Sequence, residues 1–143
     1  MSTKAVDVRI ASTKSRCRRP LFSSHVSAGF PSPADDHVEK SLDLNEHLIQ
    51  HPEATYFVRA AGESMTGAGI HNGDLLIVDR AIEPVSGNIV IAVIDGELTV
   101  KRFHKRNGKL MLLADNPAYK SIAIKAETDC TIWGVVKHVV HPV

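Results

Sequence analysis

Cysteine is scarce in this 143-residue chain: Cys17 and Cys130 are the only two, and neither belongs to a CxxC pair. A disulfide framework and a zinc knuckle are therefore not expected. Long apolar runs are also missing. No stretch approaches the ~20 residues needed to cross a bilayer. The basic start never gives way to the apolar core and small-residue cleavage box of a secretory signal. A cytoplasmic protein without a membrane partner is the expectation. Aromatic residues make up only 5%, and the closing third is built on Val and Ile instead, which favours sheet. Eight histidines are present, and His47 and His51 stand four apart, as one helix face would place them. No nearby carboxylate-and-histidine set completes a site, so neither a metal nor another cofactor is expected.

Net charge is small, +1 with histidine neutral, but it is unevenly spread. Residues 1–20 hold Lys4, Arg9, Lys14, Arg16, Arg18 and Arg19 against Asp7 alone, a local +5; the rest carries 11 basic and 15 acidic residues, −4. Such an arm suits nucleic acid, an acidic partner or its own acidic body, and a solvated tail is the plainest expectation for residues 1–20. Over residues 1–40, Ser, charge, Pro20, Pro31 and Pro33 deny any long helix. Within that stretch Leu21-Phe22 and Val26-Ser27-Ala28-Gly29-Phe30 form an apolar, small-residue patch that could seat in a groove or simply pack.

A short helix follows. Asp43 and Glu46 resemble a capping pair, Leu44, Leu48 and Ile49 give a stripe, and Pro52 ends it. From residue 55 the signals are strands: Thr55–Val58, Asp74–Val78, Ile89–Ile94, Glu97–Phe103, Leu110–Leu113 and Trp133–Val140. Asp95-Gly96 and Asn107-Gly108 read as hairpin turns. Little helix and many turn-linked strands predict a mainly β, compact, barrel-like or sandwich domain. No helix-turn-helix pattern is present.

The chemistry-bearing stretch is Val58-Arg59-Ala60-Ala61-Gly62-Glu63-Ser64-Met65. A strand that runs into a turn at Gly62 can lift the Ser64 hydroxyl out of the sheet. It can also aim backbone N–H groups at one spot, the arrangement that stabilises an oxyanion. A solvated turn serine has the same local pattern. A serine nucleophile needs a base, and lysine serves in some enzymes. Lys101 lies in Glu97-Leu98-Thr99-Val100-Lys101-Arg102-Phe103, where alternation puts Thr99 and Lys101 on one face. As a base it must be buried without a carboxylate partner, because an ordinary lysine pKa of ~10.4 is too high. As a surface lysine beside Arg102 and Lys105 it would only guard a strand edge.

The stretches Gly62-Glu63-Ser64-Met65, Gly69-Ile70-His71-Asn72-Gly73-Asp74, Val78-Asp79, Gly87-Asn88-Ile89-Val90-Ile91-Ala92, Gly96 to Arg102, Asn116-Pro117-Ala118-Tyr119 and Gly134-Val135-Val136 stand in order. Together they resemble the LexA/UmuD family of self-cleaving serine–lysine peptidases. Pro20-Leu21-Phe22, Gly29 to Ala34 and Asp43 to Pro52 are similar to its UmuD branch, and the resemblance spans roughly residues 20–143. It implies a β domain of the LexA C-terminal peptidase type over 41–143. A flexible arm over 1–40 would then be cut at Ala28-Gly29. It further implies Ser64 as nucleophile, Lys101 as general base, and the N–H groups of Ser64 and Glu63 as oxyanion donors. The implied partners are a second copy of the chain, a RecA–single-stranded DNA filament that stimulates cleavage, and a UmuC-type Y-family polymerase that uses the product in SOS mutagenesis. Residues 1–19 lie outside the stretches that carry the resemblance and their role stays open, and Ala28 stands where some relatives carry cysteine.

Three other readings compete. A polymerase-binding module without catalysis would not need both Ser64 and Lys101. A type I signal peptidase would want a membrane anchor. A LexA-like repressor fragment would want a DNA-reading domain, and only 63 residues precede Ser64, so sequence-specific DNA binding is not expected.

Overall fold

The computed structural model describes residues 2–22 and 38–143, with side chains for 2–21 and 41–143. Its elements are β1 (Lys4–Ile10), β2 (Arg18–Phe22), β3 (Val38–Asp43), α1 (Leu44–Leu48), β4 (Thr55–Ala61), β5 (Leu75–Asp79), β6 (Ile89–Ile94), β7 (Glu97–Arg106), β8 (Lys109–Leu113), β9 (Ile122–Ile124) and β10 (Cys130–Val140), with 3-10 turns at Pro52–Ala54 and Thr66–Ala68. Two compact units result: residues 1–11 with 51–143, and residues 12–50.

In the larger unit the strands run in the order β1-β4-β5-β10-β6-β7-β8-β9, and β1 also pairs with β7. The pairing of Lys4 with Thr99 closes six strands into a barrel. The expected barrel-like β fold is therefore found, and a sandwich is not. Both hairpin turns are as read: Asp95 and Asn107 adopt positive φ, 49° and 52°, each followed by a left-handed glycine. That twist matches the flanking strands. One core gathers Val58, Ala60, Met65, Ile70, Leu76, Val78, Ile91 and Val100. A second gathers Val90, Ala92, Phe103, Leu112 and Val135. Strand β7 feeds both, because its alternate residues enter different clusters. That leaves Lys101 in register opposite Val90 and two residues from Phe103.

Residues 4–10, expected as solvated tail, form β1 instead and pair with β4 from Lys4↔Ala61 to Ile10↔Tyr56. Main-chain hydrogen bonds to two strand edges hold them, and composition does not register such bonds. In the smaller unit β2 and β3 make an antiparallel ribbon, with Pro20 opposite Ser41. Asp43 caps α1 through the Asn45 N–H as expected, and Arg18 pairs with Glu46. Leu44 of the expected apolar stripe is exposed, whereas Ile49 is buried.

Candidate active site

Strand β4 ends at Ala61, and the chain turns at Gly62, whose φ is 101°. Ser64 lies in that turn and is fully buried. Two asparagines pin the turn. The Asn72 side-chain oxygen accepts the Gly62 N–H at 3.0 Å, and Asn116 Nδ2 donates to the Glu63 carbonyl at 2.8 Å. Met65 is fully buried behind the serine, and its sulfur receives the Asp115 N–H at 3.4 Å. Asp115 in turn grips Arg102, whose Nε lies 3.1 and 2.8 Å from its two oxygens. Next to Met65 the chain must pass close to Asp115. A Cβ on Gly67 would meet the Asp115 carbonyl oxygen at 2.5 Å, so only glycine fits.

Lys101 on β7 is 2% exposed. Burial moves its pKa below the ordinary 10.5, and among the described residues no carboxylate raises it again. Lys101 also lines a pocket with Ser2, Lys4 and Thr99. The surface-lysine alternative is therefore wrong for this side chain, and Arg102 on the other face is the residue with an acidic partner. Thr99 shares the Lys101 face as expected, but its hydroxyl donates to the Ala92 carbonyl at 3.3 Å.

Thr3 lies between the serine and β7. Its N–H donates to Ser64 Oγ at 2.8 Å, and its carbonyl accepts the Val100 N–H at 3.0 Å. The Ser64 turn and the strand carrying Lys101 thus meet across one extended residue. Thr3 is itself buried, and its hydroxyl finds no partner among the described residues. An unmet group of this kind costs about 1–3 kcal/mol in desolvation.

A third cluster, of His71, Asp74 and His141, lies behind the turn. Their ligand atoms fall within 4.8 Å of one another, a spacing that could hold a metal ion. Both Asp74 oxygens are already engaged, one by His141 Nδ1 at 2.5 Å and the other by the His71 N–H at 2.8 Å. The cluster is better described as a brace. Burial pushes the Asp74 carboxyl up, but the hydrogen bonds and nearby charge of His141 and His71 leave it below the ordinary carboxylate value. The other histidine of interest, His51, bonds Asp79 at 2.6 Å rather than forming a pair with His47.

Of the expected site residues, Ser64, Glu63 and Lys101 lie in the larger unit, and Thr3 stands between Ser64 and β7. Ala28 and Gly29 lie outside the described residues. Sequence reasoning assigned no role to Thr3, Asn72, Asp74, Asp115 or Asn116. Asn72, Asp74 and Asn116 sat in motifs already noticed, so a signal existed for them; for Thr3 there was none.

A family model described as Peptidase S24-like matches residues 20–137. The protein ImpA of Escherichia coli is 53% identical over 124 residues, covering 86% of this chain and 83% of its own length. MucA of Escherichia coli is 41% identical over 142 residues, 96% of this chain and 97% of its own. A LexA repressor of Ectopseudomonas mendocina is 42% identical over 111 residues, 77% of this chain and 54% of its own.

Proposed function

The chain belongs to the Peptidase S24-like family, and on that premise we propose that it is a serine endopeptidase that cuts its own Ala28-Gly29 bond. What supports this reading is a buried serine and a buried lysine, the latter with no carboxylate partner among the described residues, carried by segments that both hydrogen-bond to the extended residue Thr3. A solvated turn serine and an edge-guarding lysine would have neither property.

The neutral Lys101 amine takes the Ser64 proton, and the serine oxygen bonds to the Ala28 carbonyl carbon. The N–H groups of Ser64 and Glu63 hold the resulting oxyanion. The carbon–nitrogen bond then breaks, and the Gly29 nitrogen leaves with the proton from the Lys101 ammonium. Water next attacks the ester, giving a free carboxyl on Ala28 and restoring Ser64. The product from Gly29 onward has lost the +5 start.

Within the proposal, the processed chain serves SOS mutagenesis in the cytoplasm as a homodimeric accessory of a UmuC-type polymerase. A RecA–single-stranded DNA filament speeds the cut by favouring the cleavage-competent conformer. A filament can do so only through a higher affinity for that conformer.

The test is incubation of purified protein at pH ~10, where an ordinary lysine begins to lose its proton, and separately with RecA, ATP and single-stranded DNA. Products are followed by intact mass beside Ser64→Ala and Lys101→Ala. A fragment starting at Gly29, formed only when both residues are intact, is expected. No cleavage under either condition would leave a non-catalytic polymerase-binding module as the better reading.

A further inference from the structure

The six-strand ring has one unusual stave. Strands β4 and β7 meet only through β1, and the proposed nucleophile and amine sit on the two sides of that joint. Ser64 follows β4, and Lys101 lies on β7. Whatever extended segment fills the gap necessarily runs past both.

Strand β1 fills it mainly with backbone. Its side chains contribute little: Val6, Val8 and Ile10 are 58%, 37% and 63% exposed. The Lys4–Glu97 ion pair at 3.2 Å is also solvent-exposed, so screening leaves it weak. Ala5 is the one side chain of β1 packed on the core. Main-chain hydrogen bonds to a sheet edge accept almost any extended sequence, as in strand-addition complexes, and pockets for side chains supply the selectivity. Here the side-chain fit is poor at the critical residue. Thr3 carries a buried hydroxyl without a partner, and its N–H stands 2.8 Å from Ser64 Oγ, where a leaving-group nitrogen belongs. A glycine in that place has no hydroxyl to strand.

We infer that the gap between β4 and β7 is a slot for an extended peptide, and that residues 2–10 occupy it as an internal competitor of the segment holding Ala28-Gly29. This inference rests on the self-cleavage reading for its consequence, but the slot itself does not. Held in this way, Ser64 is covered by a strand of its own chain that sits poorly enough to be displaced. Residues 2–10 thus become a built-in brake whose release exposes Ser64. Any agent that draws residues 2–10 away, by their charge or their exposed Val6, Val8 and Ile10, would speed the cut.

The experiment uses two full-length variants with opposite expected effects. Thr3→Pro removes the N–H that reaches Ser64 and puts ring carbon against the hydroxyl, so β1 is expelled. Thr3→Val keeps the shape and removes the stranded hydroxyl, so β1 is held more firmly. Cleavage at pH ~10 is followed by intact mass. Binding of a fluorescent peptide of residues 2–11 is followed by anisotropy, which needs no catalysis. Thr3→Pro is expected to cut about tenfold faster, as when the competent fraction rises from a tenth to nearly all. Thr3→Val is expected to cut more slowly, and the peptide to bind Thr3→Pro alone and slow its cleavage. Equal rates in all three chains with no peptide binding would overturn the inference and leave the protease reading intact. Peptide binding confined to Thr3→Pro, with no cleavage in any chain, would support the slot and sink the protease.

Discussion

Replacing Lys101 with methionine separates catalysis from stability in one substitution. Methionine keeps the unbranched stem and removes only the amine. Lys101 is 2% exposed, its pKa is depressed by burial, and among the described residues no carboxylate answers it. Loss of a general base costs about 10²–10⁴ in rate, or about 3–5 kcal/mol in activation free energy. A paired structural lysine would behave differently, since breaking a buried ion pair costs about 3–5 kcal/mol of stability. That corresponds to a melting point lower by on the order of 10 °C in a chain of this size. Lys101→Met should instead melt within about 1 kcal/mol of the unaltered protein at neutral pH, or above it. The pH dependence gives a second check. The folded pKa lies below the unfolded 10.5, so in the window between them the unfolded chain binds more protons. Stability due to this group is present above 10.5 and lost as pH falls through the folded value. Lys101→Met should flatten that slope in melts taken from neutral to alkaline pH. It should also abolish the rise of cleavage with pH, about tenfold per unit below the lysine pKa. A variant that melts far lower, or still cleaves at the original rate, would refute the assignment.

Three further substitutions probe the supports of the site. Asn116→Ala removes the 2.8 Å bond to the Glu63 carbonyl; it should cost only about 0.5–1.5 kcal/mol in a denaturant melt but slow cleavage about tenfold or more, because small misplacements of a reacting group are expensive. Gly67→Ala places a methyl 2.5 Å from the Asp115 carbonyl oxygen, so a loss of about 1–3 kcal/mol is expected by calorimetry, and unchanged stability would mean that the two segments separate freely. Asp74→Asn should cost about 1.5–3 kcal/mol at neutral pH through the bonds to His141 and His71. The Asp74 carboxyl sits below its ordinary value of 3.8, so its stabilisation is complete above 3.8 and fades as pH falls through the folded value. Acid melts of Asp74→Asn should accordingly be flatter than those of the unaltered chain.

Much of this molecule is local and could be read from the chain alone. Alternating apolar residues marked β4 to β8 and β10 to within a few positions. Asp95-Gly96 and Asn107-Gly108 announced their turns through the φ values they tolerate. Asp43 announced a helix cap. The Gly62 turn with Ser64, and Lys101 on a strand, were visible as candidates because their neighbours define the local backbone. Tertiary structure decided what those candidates are. Lys101 comes into register with Val90 only after β6 pairs with β7, and its burial is a property of the folded barrel. The Ser64 turn is pinned by Asn116, 53 residues from Glu63, and Asp74 is braced by His141, 67 residues away. Above all, β1 closes the ring through backbone hydrogen bonds that any sequence can make. Pattern and spacing carry side-chain preferences, so they marked the strands and left Ser64 and Lys101 as candidates. That residue 3 lies against Ser64 follows from main-chain pairing of the strand after it, and only the folded sheet decides it.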